Sequence, residues 1–72
     1  MADKLLLQLG HRIRKLRLQH GWTQVEMAEK TGLDRSFLAD VERGKRNISI
    51  RNLYFLAKGF KKTLSQLLSG IR

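Results

Sequence analysis

Apolar residues recur along this chain at about every 3.6 positions, from Leu5 to Leu68, and no run of alternating β-branched residues competes with that period. Helices packed by their apolar stripes are the fold such a pattern permits, so the predicted class is all-α. Seventy-two residues leave room for one domain, spanning 1–72, and none for a second, effector-binding one. With no Cys and no Pro there is no disulfide framework, no Cys-based zinc site and no Pro-broken segment. Stability then rests on an apolar core, and a domain this small buries so little surface that self-association has something to add.

Five short helices account for the pattern. The first is expected from about Asp3 to Gln19, with Leu5, Leu9, Ile13 and Leu16 on one stripe and Gly21 as its stop. Gly10 inside it costs about 1 kcal/mol relative to Ala. The second opens on the capping box of Thr23 and Glu26 and ends near Thr31, before Gly32. Asp34 caps the third, which reaches about Arg43 and is stopped by Gly44. Ser49 caps the fourth, to about Lys58, and Thr63 with Gln66 opens a fifth that runs to about Ser69.

Fifteen Lys and Arg against six Asp and Glu leave a net charge of +9, a field suited to polyanions, with nucleic acid ahead of an anionic membrane. The longest early apolar run, Leu5-Leu6-Leu7, is far too short to span a bilayer or to form a signal-peptide core. The expected location is the cytoplasm. An amphipathic membrane peptide is disfavoured because the cations are spread over several short capped helices.

The most informative stretch is Gln24 to Arg43. Two helices of about two turns each, separated by Thr31-Gly32-Leu33, fit a helix-turn-helix over approximately 24–43. Ala28 is small where the helices would cross, Gly32 permits the positive φ of a tight turn, and Met27, Leu33, Leu38 and Val41 point inward.

Leu9-Gly10, Ile13-Arg14, Leu16-Arg17, Gly21-Trp22-Thr23-Gln24, Met27-Ala28, Gly32, Glu42-Arg43-Gly44-Lys45-Arg46 and Leu53 with Leu56-Ala57 together resemble the phage-repressor-like (Xre/Cro) helix-turn-helix family. Within it, Leu33-Asp34-Arg35-Ser36 and the segment Arg43 to Ile50 are most similar to the controller proteins of restriction–modification systems, small dimers that time expression of an endonuclease. The chain departs from that pattern at Ile48, where many relatives have Pro, at Gly59, and at Lys62, where an apolar residue is usual. The resemblance implies a compact five-helix repressor-like domain that binds double-stranded DNA. It also implies that Glu42 pairs with Arg17 in a structural salt bridge.

Stepping the third helix at 100° per residue buries Leu38 and Val41 and turns Arg35, Ser36, Ala39, Asp40 and Arg43 to the opposite arc, which would face the major groove. Arg35 sits in the first turn, where the helix dipole disfavours a cation. A bidentate bond to guanine O6 and N7 would explain it there. Ser36 can reach a base or a phosphate. Phe37, at the edge between arcs, either covers the core rim or touches a thymine methyl. Asp40 either accepts from a cytosine amino group or holds Arg43 one turn on. Thr23 and Gln24 start the second helix, where free N–H groups suit a phosphate, although capping alone would explain Thr23. Arg43, Lys45, Arg46 and Asn47 form a basic turn able to grip the backbone, with Arg46 also placed to reach a base.

Trp22 is expected on the core. His11 and His20 have no partners at metal or catalytic spacing, so neither a metal site, a cofactor nor an enzyme activity is expected. On the fourth helix Ile50, Leu53, Leu56, Ala57 and Phe60 make the predicted buried stripe, leaving Phe55 outward beside Arg51 and Lys58. With Tyr54, Leu67 and Ile71 it would form a two-fold interface over approximately 50–72, since family dimers often use these two helices. The expected function is a homodimeric, autoregulatory transcriptional regulator of restriction–modification genes on a pseudo-palindromic operator. RNA polymerase is a further candidate partner, and no small-molecule ligand is expected. A phage-type repressor or an antitoxin would use the same machinery, and a protein-binding adaptor using Tyr54 and Phe55 is the reading from another class.

Overall fold

The computed structural model describes residues 3–72 and contains five helices among them: α1 (Lys4–Gln19), α2 (Gln24–Thr31), α3 (Arg35–Glu42), α4 (Ile50–Gly59) and α5 (Leu64–Leu67). Every helix opens on a side-chain cap. Asp3, Thr23, Asp34, Ser49 and Thr63 each accept from first-turn backbone N–H groups, and Thr23–Glu26 and Thr63–Gln66 close reciprocal capping boxes. α1 and α3 end in the same motif, a left-handed residue at the position after the cap. Trp22 N–H returns to Arg17 O past Gly21, and Lys45 N–H returns to Asp40 O past Gly44.

One core joins all five helices. Leu9, Ile13, Leu16, Met27, Leu38, Val41, Leu56, Ala57, Phe60 and Leu67 are buried in it, and Trp22, Ala28, Leu33, Phe37, Ile48 and Leu53 pack around its rim. α1 lies on α3, α2 packs on both α3 and α4, and α4 holds α5. Trp22 stacks on Phe60 with ring centroids 5.3 Å apart, and His20 closes that aromatic group. Arg12 fastens the far end, its Nε donating to Leu67 O at 2.9 Å and its Nη2 to Gln66 O at 2.8 Å. These donors satisfy the last carbonyls of a helix only four residues long.

Several sequence expectations are corrected. Leu5 and Ile50, expected on buried stripes, are 55% and 68% exposed, each lying in the first turn of its helix. α5 is a single turn rather than a helix to Ser69. Leu67, expected on a pairing surface, is fully buried at the centre of the core. α4 runs through Gly59, and the left-handed residue that ends it is Lys61 (φ 57°).

Two glycines that look like defects are seats for other elements. A Cβ on Gly10 would stand 2.6 Å from both the Val41 and Glu42 carbonyl oxygens, so the absence of a side chain lets α1 cross the end of α3. A Cβ on Gly59 would meet Thr31 Cγ2 at 2.6 Å, so this departure from the family pattern seats the end of α2 against α4. Ile48, another of the three departures, packs on the core rim.

Candidate nucleic-acid interface

α3 presents two faces of opposite character. Leu38, Val41 and Glu42 are buried, whereas Arg35 and Ser36 are exposed and Ala39 and Asp40 are half-buried. Arg43, at the C-cap, is exposed on the same outward arc as Arg35. Asp34 holds the start of this helix by accepting from Phe37 N–H at 3.0 Å, which fixes where Arg35 and Ser36 leave the backbone. Arg35 takes part in none of the ion pairs found among the described residues.

The orientation of α3 is fixed from behind. Arg17 Nε donates to Glu42 Oε2 at 2.7 Å and Arg17 Nη2 donates to Glu42 Oε1 at 3.1 Å, a fork-on-carboxylate pair with both side chains nearly buried. The remaining guanidinium arm, Nη1, donates to Trp22 O at 2.9 Å. One buried cation therefore ties α1 to the end of α3 and to the turn before α2. Gln24 joins the same group, its Nε2 donating to Glu42 Oε1 at 3.2 Å. Since the second hydrogen of that amide is uncommitted, Gln24 stands half-buried at the mouth of α2 with a donor to spare. Thr23, exposed beside it, spends its hydroxyl on the Glu26 N–H as a cap.

The basic turn after α3 is organised around one carboxylate. Asp40 accepts from Arg43 Nη2, and its other oxygen lies 3.7 Å from Arg46 Nε. The Arg43 hydrogen bond holds the Asp40 carboxyl below the ordinary aspartate range; desolvation opposes it, and the charges of Arg43, Arg46 and Lys45 add to the lowering. Arg46 lies over the Phe37 ring, 5.3 Å from its centroid, so Phe37 is at once part of the core rim and a platform for a cation. Lys45 and Asn47 are exposed on the same turn. Asn47 uses its carbonyl oxygen on Ile48 N–H at 3.0 Å, which leaves its amide hydrogens free.

The residues singled out in the sequence thus fall in two places. Arg35, Ser36, Phe37, Ala39, Asp40, Arg43 and Arg46 belong to α3 and the turn it leads into, while Thr23 and Gln24 stand at the start of α2, where Gln24 is tied to α3 through Glu42. On α4, Ile50, Arg51, Tyr54 and Phe55 line an open depression with Leu64, and Tyr54 and Phe55 are 52% and 38% exposed. Ile71 lines a different depression, with Leu5, Leu6, Leu9 and Leu68. Ile50 is the exposed apolar residue that sequence reasoning did not find: the helical period puts it on the buried stripe, and nothing local signals that it is uncovered.

A capped helix pair carrying an outward polar arc, braced from behind by a buried ion pair, defines a helix-turn-helix DNA-binding regulator rather than an enzyme. The chain belongs to the helix-turn-helix (HTH_3) family, whose model matches residues 13–70. It is 36% identical over 70 residues to the control protein C.MunI of a Mycoplasma species, covering 96% of this chain and 95% of that protein. Among solved structures it is similar to the restriction–modification controller protein C.AhdI from Aeromonas hydrophila, at TM-score 0.82 and 40% identity over 86% of this chain and 94% of that one. It is also similar to the controller protein C.Esp1396I, as a tetramer in complex with its natural 35 base-pair operator. There the TM-score is 0.87 and the identity 32%, over 96% of this chain and 91% of that one. No helix of the described residues is long and apolar enough to cross a membrane.

Proposed function

We propose that this protein is a controller-type transcriptional regulator that binds a pseudo-palindromic operator as a homodimer and sets expression of restriction–modification genes, its own among them, in the cytoplasm. The observation that carries this reading is the outward arc of α3, with Leu38 and Val41 buried behind it and free donors on both flanks. Arg35 reads a guanine edge, and Ser36 and Ala39 lie against neighbouring base edges. Phe37 reaches a thymine methyl at its exposed edge, and Arg46 reaches a base once it leaves the Phe37 ring. Gln24, Arg43, Lys45 and Asn47 grip phosphates, and Thr23 adds the free end of its helix.

The pairing surface in this reading is the α4 face of Ile50, Arg51, Tyr54 and Phe55. A two-fold axis through it sets two reading helices about 34 Å apart, or roughly 10 base pairs. Coupling between dimerisation and binding makes occupancy respond to the protein's own concentration, the basis for autoregulation. Restriction–modification control is supported by the similarity to C.MunI, C.AhdI and C.Esp1396I along almost the whole chain.

Selection of binding sites from random duplex DNA tests the proposal. A palindromic site with half-sites about one helical turn apart is the expected result. Recovery of no preferred sequence would overturn it.

A further inference from the structure

A carboxylate in the middle of a phosphate-facing surface needs an explanation. Asp40 is not part of the core, and its two side-chain partners are both cations of the DNA-facing turn, Arg43 by a hydrogen bond and Arg46 at 3.7 Å. The second of these is also held over the Phe37 ring. Both arginines are more than half exposed, so the arrangement contributes little to holding the fold together. Its effect is on charge: two cations that would otherwise meet phosphates freely are offset by one anion and restrained by it.

Sequence-independent affinity for DNA comes from cations meeting phosphates. A carboxylate that offsets two such cations therefore weakens binding to every duplex. In the major groove the same carboxylate is repelled by the acceptor edges of guanine and thymine and is accepted by a cytosine amino group. On a matching base pair it recovers a hydrogen bond and releases Arg43 to a phosphate and Arg46 to a base edge. On any other it remains a desolvated anion beside acceptors. Discrimination can be built from such a penalty as well as from attraction.

We propose that Asp40 is a specificity-determining residue that acts by restraint: it ties Arg43 and Arg46 back, lowers affinity for non-cognate DNA, and lets them go where a cytosine amino group takes their place. The assignment rests on the DNA-reading function proposed above and adds to it a residue whose contribution is chiefly against the wrong sequences.

The test measures binding of the wild type, Asp40→Asn, the Arg43→Gln/Arg46→Gln pair and the triple variant to two duplexes at one stated salt. One duplex carries the site recovered by selection, the other the same bases scrambled. Circular dichroism melts establish that each variant is folded. Asp40→Asn is expected to tighten binding to the scrambled duplex by about threefold to tenfold and to steepen its salt slope by about 2 per dimer, one extra phosphate per protomer. Affinity for the selected site should hold or fall, so the ratio between the duplexes shrinks. In the background lacking both arginines, the gain on the scrambled duplex should shrink to the part that comes from relieving the carboxylate's own repulsion by acceptor edges. Equal shifts on both duplexes, no gain on the scrambled one, or a full gain without the arginines would each overturn the role of Asp40 while leaving the DNA-reading assignment standing. Failure of the wild type to select any sequence would remove that assignment and this proposal together.

Discussion

Arg17 and Glu42 meet through two parallel hydrogen bonds at 2.7 and 3.1 Å, across 25 positions of chain, with both side chains nearly buried. A pair of this kind gains little over a well-packed apolar replacement, but removing one partner strands the other charge. Glu42→Ala leaves the Arg17 guanidinium with only the Trp22 carbonyl, and Gln24 loses its acceptor. The expected loss is about 3–5 kcal/mol, enough to unfold much of so small a domain. Thermal melting followed by circular dichroism checks this, and a midpoint unchanged within error would refute it.

Gly10→Ala is predicted to destabilise, although helix propensity alone says the reverse. Replacing a mid-helix Gly by Ala should stabilise by about 1 kcal/mol where space allows. Here the new methyl would stand 2.6 Å from two carbonyl oxygens at the end of α3, and backbone cannot swing aside as a flexible side chain can. Overpacking of that order costs about 1–3 kcal/mol, and the lost crossing also disturbs the Glu42 end of the reading helix. The melting midpoint should drop by several degrees, and a rise would show that α1 and α3 separate without penalty.

This contrast shows where the sequence was legible and where it was not. Helix starts could be read because caps are local: Thr23, Asp34, Ser49 and Thr63 each satisfy backbone donors within three residues. The two arcs of α3 could be read because eight residues of one helix share a single period. Gly10 and Gly59 could not, since their function lies in what comes against them from α3 and α2. The burial of Leu67 and the exposure of Ile50 could not be read for the same reason: which part of an apolar stripe is covered depends on what packs against it from elsewhere in the chain. The Arg17–Glu42 pair was implied by family likeness rather than by local pattern, and the Arg46–Phe37 contact had no sequence signal at all.

Arg35→Ala should relax base preference at one position per half-site while leaving the fold intact. The side chain is exposed and holds no ion pair among the described residues, so its removal disturbs nothing inside the domain. A bidentate contact to guanine is worth about 1–3 kcal/mol of discrimination. Binding measured against single-base variants of the selected site should show that discrimination vanish at one base pair and persist at the others. Uniform weakening across all variants would instead make Arg35 a phosphate contact.

Salt dependence separates a surface that grips the DNA backbone from one that merely carries charge. Gln24 is neutral, so the counterions released come mainly from Arg43, Lys45, Arg46 and the other cations near the turn. With about eight phosphates neutralised per dimer, log affinity should fall against log salt with a slope near −7. A slope shallower than about −2 would count against the docking of α3 and its turn on the duplex.

The α4 face gives the sharpest test of assembly. Ile50, Arg51, Tyr54 and Phe55 stand at i, i+1, i+4 and i+5, so they share one side of α4, and Ile50 and Tyr54 are more than half exposed. Tyr54 and Phe55 are tilted against each other with ring centroids 6.1 Å apart, a compact aromatic pair beside an isoleucine that has no cover. Burial of such residues against a second copy stabilises by roughly 1.5–3 kcal/mol for each large side chain fully covered, whereas a carboxylate placed among them would lose its hydration without a partner. Phe55→Asp or Ile50→Asp should therefore yield folded monomers in sedimentation and weaken operator binding steeply at low protein concentration. Leu67→Asp should behave differently, because Leu67 is wholly inside the core, and should unfold the chain rather than split the dimer. A dimer that survives both α4 substitutions would move the two-fold axis off this helix, and with it the half-site spacing.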